Sequence, residues 1–205
     1  MKNVLSGEKK KHEQVVLEAA TSCILKKGLD KTSMSDIAER AGVSRRTLYR
    51  TFASKEELYA ALFELRSMAD KFKEVQTRVA GLNFEDALLE ATKLSIRRIR
   101  EDPVMMEMMY ASGALWFQKQ MLDNNSPLFH AVIAVQLRFW GDILDRARGE
   151  GIINSALTNQ QISEWYSTVQ YMMVLRVNGG EAEQEFLLKN FLIPSLVYKR
   201  SSQLS

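Results

Sequence analysis

The sequence predicts an all-α chain of about nine helices, a three-helix N-terminal unit followed by a larger helical C-terminal one. Three observations carry this. Helix-starting signals recur along the chain: Ser33 with Asp36, Ser54 with Glu57, Asn83 with Asp86, Asp102 before Pro103, Ser126 before Pro127, and Thr158 with Gln161. Each offers a side-chain oxygen to the N–H groups a helix leaves open at its start, or places proline where no N–H is needed. Between these signals apolar residues return at helical spacing, and almost nothing reads as strand. Hydrophobic residues make up 46% of 205 positions, which suits a packed core and excludes wholesale disorder.

Taken in order, the first helix runs from about His12 to Lys27 and stops at Gly28, with Leu29 placed for a Schellman contact. The second starts at Ser33, buries Ile37, Ala38 and Ala41, and ends at Gly42, since glycine takes a positive φ at little cost. Ser44 caps the third, which ends near Phe52. The fourth begins at Ser54 and continues into the seventies; the fifth begins at Asn83. The sixth, from Pro103, carries VMMEMMYASGALWFQKQM, and the seventh lasts from Pro127 to about Gly149. The eighth, from Thr158, ends at Gly179 and Gly180. Pro194 kinks or ends the ninth, which starts near Glu181.

The hairpin at residues 33–52 is the most informative stretch. On its second helix Leu48 and Phe52 lie one turn apart and face the core. Arg46 and Arg50 lie one turn apart on nearly the opposite side, flanked by Thr47 and Tyr49. From Arg40 to Lys55 there are five basic residues and no acid. Two readings fit: a solvated structural hairpin, or a helix-turn-helix whose outer face meets phosphates and base edges in a major groove. Solvated helices usually mix their signs, so the one-signed face favours the polyanion. Residues 1–60 carry net +4 and residues 61–205 net −1, so the basic excess sits with the hairpin. Lys9, Lys10 and Lys11 add to it, as a flexible tail or as an arm beside the main site.

Residues 12–62 resemble the N-terminal domain of TetR-type transcriptional regulators. The resemblance rests on Ala20 and Gly28, Asp36-Ile37-Ala38, Ala41-Gly42-Val43-Ser44, Thr47-Leu48-Tyr49, Phe52, and Ser54-Lys55-Glu56-Glu57-Leu58. Arg46 stands where that family more often has a small residue, and Ile24 replaces a frequent phenylalanine. The resemblance implies a DNA-binding domain at residues 1–60 and an effector-binding, dimerising domain at 61–205. Ser33, Ser44, Arg45, Arg46, Thr47, Tyr49, Arg50 and Lys55 form the expected DNA-binding set, with Lys55 at the start of the fourth helix as a phosphate anchor. The expected partners are a pseudo-palindromic double-stranded operator, a second copy of the chain and a small lipophilic effector. The expected role is a repressor released by that effector.

For the effector, Met68, Phe72, Met105, Met109, Trp116, Phe139 and Trp140 are the candidate lining, although a Met and aromatic stripe also makes ordinary core. Arg97, Arg98, His130 or Arg138 would hold an acidic head group if one turned inward. The last two helices are apolar around most of their girth, which calls for a second covering surface. Trp165, Val169, Met172, Phe186 and Phe191 are the candidate dimer residues. No catalytic residue, cofactor or metal is expected: His12 and His130 are isolated, and no metal-ligand or nucleophile motif is present. The single cysteine, Cys23, reads as a core thiol, and the chain reads as cytoplasmic, with neither membrane span nor signal segment. The alternatives are a helical adaptor that holds an acidic partner with the basic hairpin, and, more remotely, an enzyme with a scattered site.

Overall fold

The computed structural model describes residues 2–68, 71–110, 114–176 and 180–197. Its helices are α1 (Lys2–Lys27), α2 (Met34–Ala41), α3 (Arg45–Thr51), α4 (Lys55–Met68), α5 (Lys71–Val79) and α6 (Phe84–Glu101). They continue with α7 (Pro103–Tyr110), α8 (Ala114–Leu122), α9 (Pro127–Gly149), α10 (Asn159–Leu175) and α11 (Glu181–Leu187). A π-helical turn, Leu188–Leu192, then leads into α12 (Ile193–Leu196). Among the described residues the only extended pairing is one isolated bridge between Ile153 and Val197. The all-α expectation holds.

The caps explain most boundaries. Asn83 Oδ1 accepts from Asp86 N at 2.9 Å, and Ser126 Oγ accepts from Phe129 N at 2.9 Å. Thr158 and Gln161 form a reciprocal capping box. Elsewhere the helices differ from expectation. α1 begins about ten residues early, so Lys9, Lys10 and Lys11 lie on a helix and not on a flexible tail; Gly7 there costs about 1 kcal/mol relative to alanine. The expected fourth helix is described as α4 and α5 and the expected sixth as α7 and α8; the residues between them, 69–70 and 111–113, lie outside the described residues. The helix from Thr158 ends at Leu175, short of Gly179, which lies outside the described residues. Its last carbonyls find another partner: Arg100 Nη2 donates to Met173 O at 2.9 Å and Arg176 O at 2.7 Å. Pro194 falls in the first turn of α12, where the wider π turn before it relieves the clash with the preceding carbonyls.

Contacts sort the chain into two compact units, residues 1–66 with 102–131, and residues 67–101 with 132–205. The first thus takes in α7 and α8, far along the sequence. Its core includes Val16, Ile24, Ile37, Leu48, Leu58, Leu62, Met108, Phe117 and Leu128, all essentially unexposed. A buried ion pair ties α4 to α7: Arg66 donates through Nε and Nη2 to both oxygens of Asp102, at 2.7–3.0 Å. The same carboxylate caps α7, with Oδ1 accepting from Val104 N at 3.0 Å and Met105 N at 3.1 Å. Asp102→Ala removes both functions and strands a part-buried guanidinium. We expect a loss of about 3–5 kcal/mol in urea unfolding; a loss below ~1 kcal/mol would show the pair to be solvated in effect.

The second unit packs α6, the later part of α9, α10 and α11–α12 around Ala91, Ile96, Leu144, Ile153, Tyr166, Val174, Leu188 and Leu192. Ion pairs fasten α6 to the end of the chain, Lys93 to Glu185 at 3.0 Å and Arg97 to Glu181 at 2.5 Å.

Candidate nucleic-acid interface

The hairpin is held by local bonds readable from its residue types. Ser33 Oγ accepts from Asp36 N at 3.2 Å, and Asp36 Oδ2 accepts from Ser33 N at 2.9 Å, closing the capping box. Lys27 Nζ reaches Asp36 Oδ1 at 2.6 Å. That bond and the Ser33 donors hold the Asp36 carboxyl well below the usual carboxylate range. A depressed pKa stabilises the fold at neutral pH and is lost only as pH falls through the folded value, so the cap survives mild acid. Gly42, at φ +66°, ends α2: its N–H donates to Glu39 O and the Val43 N–H to Ala38 O, at 3.1 and 3.0 Å. Ser44 Oγ then accepts from Thr47 N at 3.1 Å and starts α3.

α3 turns Leu48 and Phe52 into the core. Arg45, Arg46 and Arg50 are exposed, and Tyr49 is half exposed. Among the described residues no hydrogen bond or ion pair holds any of the three guanidiniums. The face is therefore a set of uncompensated positive charges on a short, well-capped helix. Ser33, Ser44 and Thr47 border it, with Ser44 and Thr47 hydroxyls 2.9 Å apart.

Lys55 departs from the expected outward anchor. Its ammonium donates to Leu29 O at 3.3 Å and lies 5.2 Å from the centre of the Tyr59 ring. Burial pushes its pKa down, since the charged form gives up water there. The same carbonyl accepts from the Tyr59 hydroxyl at 3.2 Å, while the Leu29 N–H donates to Glu107 Oε1 at 2.9 Å. So the Leu29 N–H, which in a Schellman turn would return to a carbonyl of α1, donates to a carboxylate of α7. Gly28 sits beside this bond at φ +82°, where an added Cβ would fall 3.0 Å from Glu107 Oε1. Cys23 is buried as expected, its thiol 3.7 Å from Asp36 O.

The candidate lining residues fall in different places. Met105 and Met109 are core of the first unit, and Trp116 packs edge-on against Tyr59 at 5.4 Å. Phe139 and Trp140 pair on α9 at 4.7 Å, and Trp140 meets Tyr166 at 5.4 Å. The side chains of Met68 and Phe72 lie outside the described residues. Arg97 pairs with Glu181 and Arg98 with Glu74, so both arginines are committed to carboxylates. Of the candidate dimer residues, Trp165, Met172, Phe186 and Phe191 are 47–63% exposed, and Val169 is partly buried. Phe186 and Phe191 stack edge-on at 6.3 Å, and Trp165 Nε1 donates to Ser195 Oγ at 2.9 Å.

Sequence reasoning missed the polar side of α10. Ser163, Tyr166, Ser167 and Gln170 are all buried, opposite the exposed Trp165 and Met172. The signal was present: serines four apart with Gln170 three further on mark one face. The aromatic and Met residues of this helix masked it. The bond from Leu29 to Glu107, 78 positions away, leaves no local trace in the sequence.

Comparison with known proteins bears on these features. Residues 16–62 match the family model for bacterial regulatory proteins of the tetR family. The HTH-type transcriptional regulator YvdT of Bacillus subtilis is 46% identical over 158 residues, covering 75% of this chain and 71% of that protein. An HTH-type transcriptional regulator of Mycobacterium tuberculosis is 29% identical over 124 residues, 60% of this chain. The match spans 62% of that mycobacterial protein's length. In fold, the chain resembles the TetR-family transcriptional repressor FadR of Thermus thermophilus, solved in complex with lauroyl-CoA. There the TM-score is 0.69 and the identity 17%, over 94% of this chain and 99% of the other.

Proposed function

We propose that this chain, which belongs to the tetR family of bacterial regulatory proteins, binds a pseudo-palindromic operator as a homodimer and releases it when a small molecule occupies the second unit. The observation that carries the proposal is the outer face of α3, three exposed arginines without a carboxylate partner among the described residues. A surface of that kind lowers its energy against a polyanion. In the complex α3 enters the major groove; Arg46 or Arg50 reads a base edge, and Ser33, Ser44, Arg45, Thr47 and Tyr49 fix the register on phosphates.

The exposed apolar residues of α10 and α11, with Phe191 in the π turn, supply the two-fold contact. Four large side chains left half in water on adjoining helices are what an isologous interface covers. A dimer then sets two α3 helices to two half-sites. The effector, on this reading a lipophilic molecule with one or two polar groups, has to favour one of two dimer shapes by differential affinity. The family resemblance supports a repressor.

A mobility-shift selection on a randomised palindromic DNA library tests the proposal: one enriched two-fold motif is expected, and uniform recovery of all sequences would leave the basic hairpin to an acidic protein partner. Lys55 has its own test. An ammonium that reaches phosphate must share its N–H groups with the Leu29 carbonyl. Lys55→Ala is expected to weaken all sequences alike and to reduce the salt slope of binding by about one unit per subunit. An unchanged slope would assign Lys55 wholly to Leu29.

A further inference from the structure

α10 buries a polar stripe, Ser163, Tyr166, Ser167 and Gln170, beside the apolar Ile162, Met173 and Val174, and leaves an apolar stripe, Trp165 and Met172, exposed. The apolar stripe is accounted for by the proposed two-fold contact. The polar one needs another reason, because buried polar groups cost free energy unless they are bonded.

Part of the stripe is satisfied within the unit. Gln136 Nε2 donates to Gln170 Oε1 at 3.1 Å, and Gln170 Nε2 donates to Ser95 Oγ at 2.6 Å. Thr92 Oγ1 lies 3.1 Å from the Tyr166 hydroxyl, whose pKa burial pushes up. Ser163 and Ser167, 1% and 4% exposed, are not satisfied: neither hydroxyl has a partner among the described residues. Helical hydroxyls usually return to the carbonyl four residues back. Thr92 does so to Leu88 at 2.5 Å and Thr168 to Glu164 at 2.9 Å, so the geometry is available in this unit and these two serines do not use it.

We infer that Ser163 and Ser167, with the Tyr166–Gln170 network and Trp140 beside them, form a binding site between α6, α9 and α10 for a small uncharged molecule with hydroxyl or amide groups on an aromatic or apolar frame. The polar members of the site, Thr92, Ser95, Gln136, Ser163, Tyr166, Ser167 and Gln170, are all neutral. An ionised ligand would meet no opposite charge in exchange for its water. The basic residues of α6 are engaged elsewhere: Lys93 by Glu185, Arg97 by Glu181, Arg98 by Glu74, and Arg100 by the carbonyls of Met173 and Arg176. A neutral ligand loses little on entry and gains two donors that are otherwise idle. The Trp140 and Tyr166 rings, 5.4 Å apart at 68°, offer the apolar wall.

As the effector site, this deepens the proposed switch; as a binding site, it stands without it. The experiment uses the full chain without DNA. Phenol and benzamide serve as neutral probes and benzoate and benzylammonium as charged ones, followed by Trp fluorescence and saturation-transfer NMR. Saturable binding of a neutral probe is expected, with the charged probes much weaker. Ser163→Ala with Ser167→Ala is expected to weaken the neutral probe by about tenfold or more. The unliganded double variant is expected to melt no lower than the parent, because only unpaired groups are removed. The inference is overturned if no neutral probe saturates, if charged probes bind equally well, or if the double variant binds unchanged. A double variant that melts well below the parent would assign the hydroxyls to a buried structural water and would also overturn it. Adding operator DNA separates the two readings: a probe that binds without changing operator affinity leaves the site standing and removes the switch.

Discussion

Replacing the base-reading arginine of α3, Arg46 or Arg50, with alanine is expected to cost about 1–3 kcal/mol at each half-site and to relax preference at one operator position. Over two half-sites the loss is about 2–6 kcal/mol, from about thirtyfold to above ten-thousandfold in affinity. The fold should be untouched, because both side chains are exposed and Leu48 and Phe52 hold the helix from the other side. Mobility shifts against a panel of single-position operator variants, with melting curves as control, provide the measurement. Parental affinity and parental sequence preference in both single variants would show that the wrong face of α3 has been assigned to the groove.

Ending the chain before Glu181 is expected to abolish cooperative folding. The deletion removes Leu188, Leu192, Ile193 and Leu196, each at most 6% exposed. At about 1.5–3 kcal/mol per buried side chain, the loss is roughly 6–12 kcal/mol. That is comparable to the whole stability of a typical domain, about 5–15 kcal/mol. It also uncovers the face of α6 against which α11 and α12 pack, and takes away Phe186 and Phe191. Size-exclusion and far-UV melting should report aggregated or unfolded material. A well-folded monomer at micromolar concentration would remove the basis for the α10–α11 interface and for two-half-site binding.

What the sequence made legible was whatever is decided within about two helical turns. The capping boxes at Ser33 and Thr158, the caps at Asn83, Asp102 and Ser126, and the left-handed stop at Gly42 each depend on residues three to five apart. The α3 face was legible for the same reason: a one-signed stripe is a local pattern. Illegible were the pairings made across the chain. Arg66 with Asp102, Leu29 with Glu107, and Trp116 with Tyr59 assign α7 and α8 to the first unit. No composition shift announces them. Lys55 shows the limit most plainly. Its place at a helix start favoured an outward reach, but the Leu29 carbonyl and the Tyr59 ring draw it in. On α10 the bulk of Trp165 and Met172 concealed a second, polar stripe, because size dominates a count of apolar residues.

The peptide group at Leu29 gives the protein a built-in reporter. Its carbonyl is held from α4 by Tyr59 and Lys55, and its N–H from α7 by Glu107. In amide hydrogen exchange that single proton should be protected while α7 stays docked, and should exchange sooner once α7 moves by more than a hydrogen-bond length. Its neighbour just past α1, the Gly28 N–H, is bonded back to the last turn of that helix, to Ile24 O at 2.8 Å. Two adjacent amides thus answer different questions, one about α7 docking and the other about the integrity of α1. Their ratio, read from one spectrum, distinguishes a shift of α7 from an unravelling of α1, which packs against the first helix of the basic hairpin.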